Sequence, residues 1–555
     1  MALLLGSLTL FASWLAPGHY YPWINFQNEW LAALAGLLVG AAALLWATRP
    51  LRWPKSSIVV LLITAIPAMQ LLMGQISFRS DGVMVMLYLG SIALLIAVGA
   101  VMAEDHRREL IDGLFGALLA AGLVSTGLAA VQWLDLGPIG YVAWTPPGAR
   151  PIANIAQPNH LASLLGLSLI GALWLYETQR VSGRVLWLVA VWLTFGMVMT
   201  RSRMIWIAAA AFSLGWVLLQ RRITTRLTPR ALAAWIVVLG VAVIGWGPLN
   251  NALDAVAPLS MAERVQGGGG RWRIWSVLLD ALWQSPWVGY GWSQVSRAGL
   301  VGSLTHFTGE SMLRNGHSLL LDLLLWNGVP LGLLIIGGIG WWWFRQIRLC
   351  TSVERGLVLS AIGIVFVHSL LEFPLEYFYF VVPIGLFVGS LEAGPRNPTR
   401  HRFARTAMGA LLASFAIAAG WIFLEYVQVE EASRENRMLA AGYARSASLP
   451  QLVLLDEPID YMRFWRTEAR AGMSDEELAR MKRVVQRNPA PSSLLRYATA
   501  QGLNGQPEQA ARTLIQLCNM HRAVRCDEGR HSWQRLGAVF PVLQSVAYPD
   551  TPGAP

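Results

Sequence analysis

The chain has 555 residues, of which 55% are hydrophobic and only 14% are charged, and its mean hydropathy is +0.47. This composition excludes an ordinary soluble globular protein, which must face water with a largely polar surface. The formal net charge of +11 does not indicate nucleic-acid binding, because the basic residues form short clusters between apolar runs and not one patch. The sequence therefore predicts a membrane protein without a nucleic-acid partner.

About thirteen apolar segments are long enough to cross a hydrocarbon core of about 30 Å. In chain order they are 2–16, 30–48, 57–73, 82–102, 111–133, 161–177, 185–200, 204–220, 231–247, 328–344, 356–371, 375–391 and 406–425. The first segment lacks a basic n-region, so we expect a retained helix and not a cleaved signal peptide. We predict an all-α polytopic membrane protein with about thirteen transmembrane helices.

Clusters of arginine and lysine predict the orientation of these spans. They occupy alternate loops, at 49–55, 107–108, 180–184, 221–230, 345–355 and 396–405. Because basic loops stay on the cytoplasmic side, these loops should face the cytoplasm. The long connection at 248–316 and the segment at 426–555 then lie on the outer face. The chain is thus predicted to divide into a transmembrane domain, 1–425, and an outer C-terminal domain, 426–555.

Arg201 and Arg203 interrupt an apolar stretch at an outer turn, against this charge rule. A charged side chain near the hydrocarbon costs about 2.5–3.5 kcal/mol, so it normally has a partner or a task. One interpretation is a tight hairpin whose arginines reach the lipid headgroups. The other is an anion-binding site that opens to the outer face.

The connection at 248–316 is too long for a simple turn in a helical bundle, and it is rich in Gly, Trp and Arg. A glycine run at 267–270 precedes Arg271 and Arg273, and the spacing from Trp272 to Trp283 fits an amphipathic helix. Arginine forks match phosphate oxygens, and no Walker A pattern supports a nucleotide site. The tryptophans, including Trp275, either anchor the loop at the membrane interface or stack on sugar rings.

Three further polar motifs belong to the outer face. His317 opens the apolar run that follows the long loop, and a histidine can exchange a proton near neutral pH. Gln157-Pro158-Asn159 precedes one span, and His368 and Glu372 lie where two other spans meet. Polar residues at such depths are functional candidates, although hydrogen bonds between helices explain many of them.

The order and spacing of these motifs resemble the O-antigen ligase and polymerase superfamily. The resemblance is carried by Gln157–Ala162, Ser202-Arg203, Gly270-Arg271 with Trp275, Pro286–Gly291 and Gly316–Ser318. The Gln-Pro-Asn segment and His368–Leu375 are more specifically similar to the PglL-like protein O-oligosaccharyltransferases, which glycosylate pilins. One departure is Ser318, where the family often has asparagine.

The resemblance implies a GT-C-like helical bundle in the bacterial inner membrane, with the active site and the C-terminal domain in the periplasm. It implies transfer of a preassembled glycan from undecaprenyl diphosphate to a pilin-like protein, or to lipid A–core or a growing polymer in sister reactions. No cofactor and no metal ion is expected. The implied catalytic residues are Arg203 and Arg271, which would clamp the diphosphate, and His317, which would act on the acceptor hydroxyl or contact the diphosphate. The implied substrate-binding residues are Arg201, Arg273, Gln157, Asn159, Trp275, His368 and Glu372.

The segment after residue 426 contains the capping-box pattern Ser474–Glu477 and two helical stretches, 494–503 and 508–520, separated by a turn. It is similar to one tetratricopeptide-type unit, a protein-binding scaffold, although a plain helical cap fits equally well. Cys518 and Cys526 lie on the outer face, where a disulfide is possible, whereas Cys350 lies in a cytoplasmic loop. A transporter is disfavoured, because no paired inverted repeats are evident.

Overall fold

The computed structural model describes residues 1–555 except 20, 47–50, 138, 147, 156, 254–269, 310–311, 394–401, 404, 444–447 and 552–555. The glycines at 267–269 thus lie outside the described residues. The regular secondary structure of the described part is almost entirely helical. Its strands are the two-residue pieces Leu51–Arg52 and Arg402–Phe403, which pair in antiparallel orientation.

The helices of the described residues are numbered here in chain order. They are α1 (Ala2–Ser13), α2 (Phe26–Trp46), α3 (Lys55–Ile63), α4 (Ala65–Leu72), α5 (Arg79–Asp105), α6 (Arg107–Trp133), α7 (Pro158–Glu177), α8 (Gly183–Thr200), α9 (Met204–Leu219), α10 (Pro229–Ala252), α11 (Gly270–Gln284), α12 (Val295–Gly302), α13 (Leu319–Arg348), α14 (Val353–Ser369), α15 (Phe378–Glu392), α16 (Arg405–Ala440), α17 (Asp456–Arg466), α18 (Asp475–Arg487), α19 (Pro491–Leu503), α20 (Pro507–Met520) and α21 (Ala523–Val539). Single turns of 3-10 helix lie at Pro374–Glu376 and Pro541–Ser545.

Within the described residues, nine helical segments are long and apolar enough to cross a membrane. They are Phe26–Trp46, Lys55–Leu72, Arg79–Asp105, Arg107–Trp133, Pro158–Glu177, Gly183–Thr200, Pro229–Ala252, Leu319–Arg348 and Arg405–Ala440. Three further predicted spans coincide with shorter apolar helices, α1, α9 and α15, and another coincides with α14. The helical membrane fold is confirmed, and the count of thirteen spans stays a prediction.

Residue contacts divide the chain into two compact units. The first unit comprises Met1–Ile63, Leu87–Glu263 and Gly340–Phe423. In this unit α7 packs against α6, α8 and α14, and α1 packs against α2 and α6. Glycines permit the closest helix approach: a Cβ on Gly389 of α15 would lie 2.1 Å from the carbonyl oxygen of Ile96 in α5. Small residues at such contacts are typical of helices packed in membranes.

The second unit comprises Thr64–Met86, Arg264–Ile339 and Leu424–Pro555. It resumes at Leu424, beside the predicted domain boundary, but it also contains most of the long loop. The loop includes α11 and α12, so the amphipathic helix predicted after the glycine run is present. In the C-terminal part, the Ser474–Glu477 capping box is formed, and α19 packs against α20. The tetratricopeptide-type assignment stays a prediction.

The cysteines of the C-terminal part form the expected bond. Cys518 and Cys526 are joined by a disulfide, which ties the end of α20 to the start of α21. The third cysteine, Cys350, is a buried thiol.

Candidate active site

Arg201 and Arg203 lie in a tight turn between α8 and α9. α8 ends at Thr200, and Arg201 adopts left-handed backbone (φ 49°, ψ 33°) while its N–H donates to the carbonyl oxygen of Val198 at 3.0 Å. Arg203 directly precedes α9, and its side chain is exposed. A residue other than glycine rarely adopts left-handed backbone, and such conformations are enriched at functional sites. The turn expected from the sequence is therefore present, with one arginine held in a strained conformation.

Arg150 joins this turn to the segment that precedes α7. Its Nε donates to the carbonyl oxygen of Thr200 at 2.6 Å, and its Nη2 donates to Oδ1 of Asn159 at 3.0 Å. A guanidinium is planar and presents its donors in a fixed fork, so these two bonds set the separation of their acceptors. Arg150 thus positions the residue next to Arg201.

Asn159 extends the connection to the end of α14. While its Oδ1 accepts from Arg150, its Nδ2 donates to Oε1 of Glu372 at 3.2 Å. Glu372 is buried, and its backbone N–H donates to the carbonyl oxygen of His368 at 2.8 Å. A chain of hydrogen bonds therefore runs from the arginine turn through Arg150 and Asn159 to a buried carboxylate, which offers acceptor atoms to hydroxyl groups.

His160 is fully buried beside this chain. The side-chain amide of Gln157 donates to its Nε2 at 2.8 Å, so Nδ1 carries the ring proton and donates to the hydroxyl of Tyr379 at 2.8 Å. The ring also lies against Tyr377, with 4.3 Å between the ring centroids. These contacts fix the tautomer and the ring plane. Gln157 is consequently attached to α15 through His160.

His368 lies in the last turn of α14 and is fully buried. Its Nδ1 is 2.7 Å from Oγ of Ser163 on α7, and its ring centroid is 5.4 Å from that of His160. A hydrogen bond between two helices explains this polar residue structurally. Its predicted role in substrate binding stays a prediction.

In the second unit, the Gly316 peptide is held at both of its polar atoms. Its N–H donates to Oδ1 of Asp322 at 2.7 Å, and its oxygen accepts from Nε1 of Trp275 at 2.9 Å. A Cβ on Gly316 would lie 2.7 Å from the same Oδ1, so only glycine fits without a shift. His317 follows in left-handed backbone, with φ of 51°. The neighbouring peptide thus holds His317 in a conformation that costs about 1–2 kcal/mol.

The sequence pattern suggested that His317 begins the apolar helix, and the structure shows that it does not. α13 begins at Leu319 and continues to Arg348, with a break at Gly328, where φ is 75° and ψ is 170°. The span predicted at 328–344 therefore begins at this break, which divides α13 into two parts. His317 lies two residues before the start of α13.

Arg271, Arg273 and Trp275 belong to α11 but do not share one face. Residues four apart in a helix lie on the same side, so Arg271 lies on the side of Trp275, which reaches Gly316. Arg273 lies on the opposite side and is exposed, whereas Arg271 is half-buried. Of the two arginines, Arg271 is therefore the one that shares the side of α11 from which Trp275 reaches Gly316.

Comparisons with known proteins identify the family. Residues 151–176 match the protein glycosylation ligase family, residues 188–336 the O-antigen ligase family, and residues 357–534 the C-terminal region of virulence factor membrane-bound polymerases. A general O-oligosaccharyltransferase of Acinetobacter baylyi is 30% identical over 535 residues, which cover 94% of this chain and 93% of that protein. The chain belongs to the O-antigen ligase and O-oligosaccharyltransferase family.

A second relative in the O-oligosaccharyltransferase family agrees with this assignment. A ComP-specific O-oligosaccharyltransferase of the same organism is 24% identical over 418 residues, 74% of this chain and 75% of that protein. The resemblance inferred from the motifs is confirmed. The match to the protein glycosylation ligases spans the Gln157–His160 segment, which the hydrogen bonds above connect to Arg150, Glu372 and Tyr379.

The structure groups the predicted residues within each unit and adds others. In the first unit, Gln157, Asn159, His368 and Glu372 lie together near the turn that carries Arg201 and Arg203; in the second, Trp275 bonds to Gly316, which directly precedes His317, and Arg271 lies on the Trp275 side of α11. Sequence reasoning missed the roles of Arg150, His160 and Asp322. One signal was available for His160, which directly follows Gln157-Pro158-Asn159, and Asp322 is an isolated acid in an apolar run.

Proposed function

We propose that this chain transfers a preassembled oligosaccharide en bloc from undecaprenyl diphosphate to serine or threonine hydroxyls of periplasmic proteins such as pilin. The observation that carries this proposal is the 30% identity, over 94% of the chain, to a protein named a general O-oligosaccharyltransferase. The match of residues 151–176 to the protein glycosylation ligases supports a protein as acceptor.

The proposed donor accounts for the arginines. When the bond between the sugar C1 and the phosphate oxygen breaks, negative charge develops on the departing undecaprenyl diphosphate. Fixed guanidinium groups stabilise such charge in the transition state and need no metal ion. In this proposal Arg203 and Arg271 bind the diphosphate. The exposure of Arg203 and the strained turn before it support its role, and the position of Arg271 on the Trp275 side of α11 supports its own.

The acceptor hydroxyl must lose its proton as its oxygen bonds to C1 of the sugar. In this proposal His317 takes that proton, and the electron pair of the broken bond leaves with the diphosphate. A neutral imidazole can accept a proton near pH 7. The left-handed backbone at His317, maintained by hydrogen bonds to the Gly316 peptide, supports a role that needs a fixed geometry.

We place the reaction on the periplasmic face of the inner membrane. The basic loops predict this orientation for the long loop and for the C-terminal segment. The disulfide between Cys518 and Cys526 supports it independently, because disulfides persist in oxidising compartments such as the bacterial periplasm.

A second candidate function has its own support. The O-antigen ligase family matches residues 188–336, and the membrane-bound polymerase family matches residues 357–534. In these alternatives the same donor would deliver its glycan to lipid A–core or to a growing O-antigen. The chemistry proposed for the arginines and His317 is unchanged, and only the acceptor differs.

Expression in a host that makes one undecaprenyl-linked glycan and lacks its own ligase separates these functions. The host would contain both a tagged pilin and intact lipid A–core. Our proposal predicts a pilin heavier by one whole glycan, measured by intact mass, together with unmodified lipopolysaccharide. Glycan on lipid A–core with unmodified pilin would instead establish the ligase, and an unchanged mass of both acceptors would contradict both functions.

The proposed diphosphate contacts have a matched control in the same strain. Arg203→Ala and Arg271→Ala should each reduce transfer about 100-fold or more, the usual effect of removing one fixed charge-stabilising donor. Arg184→Ala is the control, because Arg184 is exposed at the other end of α8. Its transfer should be normal. Full transfer by both Arg203→Ala and Arg271→Ala would show that these residues do not bind the diphosphate.

A further inference from the structure

Arg314 lies three residues before His317 and binds the C-terminal segment. Its Nη2 donates to Oδ1 of Asn488 at 2.6 Å. The side chain keeps a solvent-accessible surface, although enough protein surrounds the guanidinium that burial lowers its pKa. Because the side chain is accessible, a shorter polar residue such as glutamine can replace it without opening a buried cavity.

Asn488 follows α18 and uses both ends of its side-chain amide. While Oδ1 accepts from Arg314, Nδ2 donates to Oε1 of Glu457 at 2.6 Å. Asn488 is buried, and its backbone N–H donates to the carbonyl oxygen of Val484 at 2.8 Å. An amide offers an acceptor and a donor together, which neither a carboxylate nor a hydrocarbon side chain provides. The connection from Arg314 to Glu457 therefore depends on the chemistry of residue 488.

An ion pair next to Asn488 fixes the C-terminal end of α18. Nε of Arg487 is 3.0 Å from Oδ2 of Asp81, and Nε2 of Gln294 donates to this oxygen at 3.3 Å. Burial raises the pKa of the neighbouring Glu457. The partner of Arg314 is thus held by a polar cluster drawn from separate parts of the second unit, so its position is well determined.

Other hydrogen bonds attach the C-terminal segment to the loop independently of Arg314. Nδ2 of Asn519 donates to the carbonyl oxygen of Ser303, and Oγ1 of Thr308 donates to that of Met520, each at 2.8 Å. Loss of the bond from Arg314 would leave these contacts in place. Its effect should therefore be confined to the short segment from Arg314 to His317.

We propose that Arg314 is a positioning residue, through which Asn488 of the C-terminal segment holds the His317 peptide in its strained conformation. The proposal rests on the role of His317 proposed above. The C-terminal segment then takes part in the transfer step itself, and is more than a surface for acceptor proteins. Displacing a reacting group by about 1 Å can reduce a rate about 100-fold, so we expect kcat to fall about 10-fold to about 100-fold without the bond.

The test uses the full-length chain in nanodiscs, with Arg314→Gln, Arg314→Lys, Asn488→Leu and the double variant Arg314→Gln/Asn488→Leu. The matched control is Arg496→Gln, because Arg496 also donates to neighbouring groups of this segment, with 2.6 Å from Nη1 to the carbonyl oxygen of Thr467. Transfer kinetics are measured with whichever acceptor the wild-type chain glycosylates. Hydrogen exchange of the peptide covering residues 312–318 is measured in parallel.

We expect a fall in kcat with little change in KM, partial recovery in Arg314→Lys, and a double variant no worse than Asn488→Leu. Arg496→Gln should lower the unfolding temperature without this selective fall. Unchanged kcat in Arg314→Gln, or losses that multiply in the double variant, would overturn the proposal. If the wild-type chain transfers glycan to no acceptor, the proposed function is contradicted, and hydrogen exchange of residues 312–318 then tests the positioning role by itself. Faster exchange in Arg314→Gln but not in Arg496→Gln supports this role, and exchange in Arg314→Gln equal to that of the wild-type chain refutes it.

Discussion

The Gly316 peptide offers a direct test of how His317 is positioned. Asp322→Ala removes the Oδ1 atom that accepts from the Gly316 N–H at 2.7 Å. Asp322→Asn retains one oxygen that can accept from the Gly316 N–H, removes the negative charge and replaces the other oxygen by an NH2 donor. We expect a lower kcat in the alanine variant and a smaller effect in the asparagine variant.

The size of the effect follows from three terms. Left-handed backbone at His317 costs about 1–2 kcal/mol. The hydrogen bond to the Asp322 carboxylate contributes about 1.5–3 kcal/mol, and the neutral bond from Trp275 contributes about 0.5–1.5 kcal/mol. Without Asp322, the remaining bond, at the middle of these ranges, is about 0.5 kcal/mol weaker than the cost of the strain, which leaves about 30% of the molecules in the active conformation. The kcat of Asp322→Ala should therefore fall about 3-fold.

Two measurements on nanodisc-embedded protein check this reasoning. Transfer kinetics should show the fall in kcat, and hydrogen exchange should show faster exchange at the Gly316 amide in Asp322→Ala than in Asp322→Asn. Wild-type kcat in Asp322→Ala, together with faster exchange at Gly316, would refute the claim that this hydrogen bond keeps His317 active.

Three further predictions concern other parts of the molecule. Arg150→Ala should reduce transfer about 10-fold or more, because the Thr200 carbonyl and Asn159 lose their shared donor, while Arg150→Lys recovers only part; unchanged kinetics would exclude a positioning role. Replacing Cys518 and Cys526 by serine should lower the free energy of unfolding by about 2.5 kcal/mol, measured by thermal unfolding under oxidising conditions; an unchanged midpoint would contradict this. Burial lowers the pKa of His521 below its ordinary 6.5, so the folded state favours the neutral imidazole. The contribution of this group to the free energy of unfolding is fully present above pH 6.5 and is lost as the pH falls through the lowered pKa. His521→Gln should flatten the decline in unfolding temperature between about pH 7.5 and about pH 5.5, and an identical decline would show that another group causes it.

The membrane fold was predictable because a membrane-spanning helix is apolar over many consecutive residues. Each predicted span overlaps a described helix, including the short α9 that begins just after Arg203, and the span at 57–73 overlaps two helices, α3 and α4. The capping box at Ser474 was equally readable, because its two hydrogen bonds involve residues only three apart. The break at Gly328 could not be predicted, because a glycine in an apolar run gives no indication of its own φ angle.

The candidate site was only partly predictable, since motifs identify residues but not their contacts. Gln157 and Asn159 were recognised from their order in the chain, yet their connection to Tyr379 and Glu372 depends on how α7, α14 and α15 pack. Arg150 was passed over because its partners, a backbone carbonyl and an amide, leave no charge pattern in the sequence. The partnership of Arg314 with Asn488 joins residues 174 positions apart, which no local pattern encodes.

The most direct measurement of the central claim uses the purified chain, undecaprenyl diphosphate bearing one defined oligosaccharide, and a folded pilin. Intact mass spectrometry follows the pilin, while the lipid product is quantified from the same reaction. We predict one mass step equal to the whole oligosaccharide, attached to a serine or threonine, with one undecaprenyl diphosphate released per transfer. Unmodified pilin in a reaction that glycosylates lipid A–core, or a pilin that gains single sugars stepwise, would contradict the account.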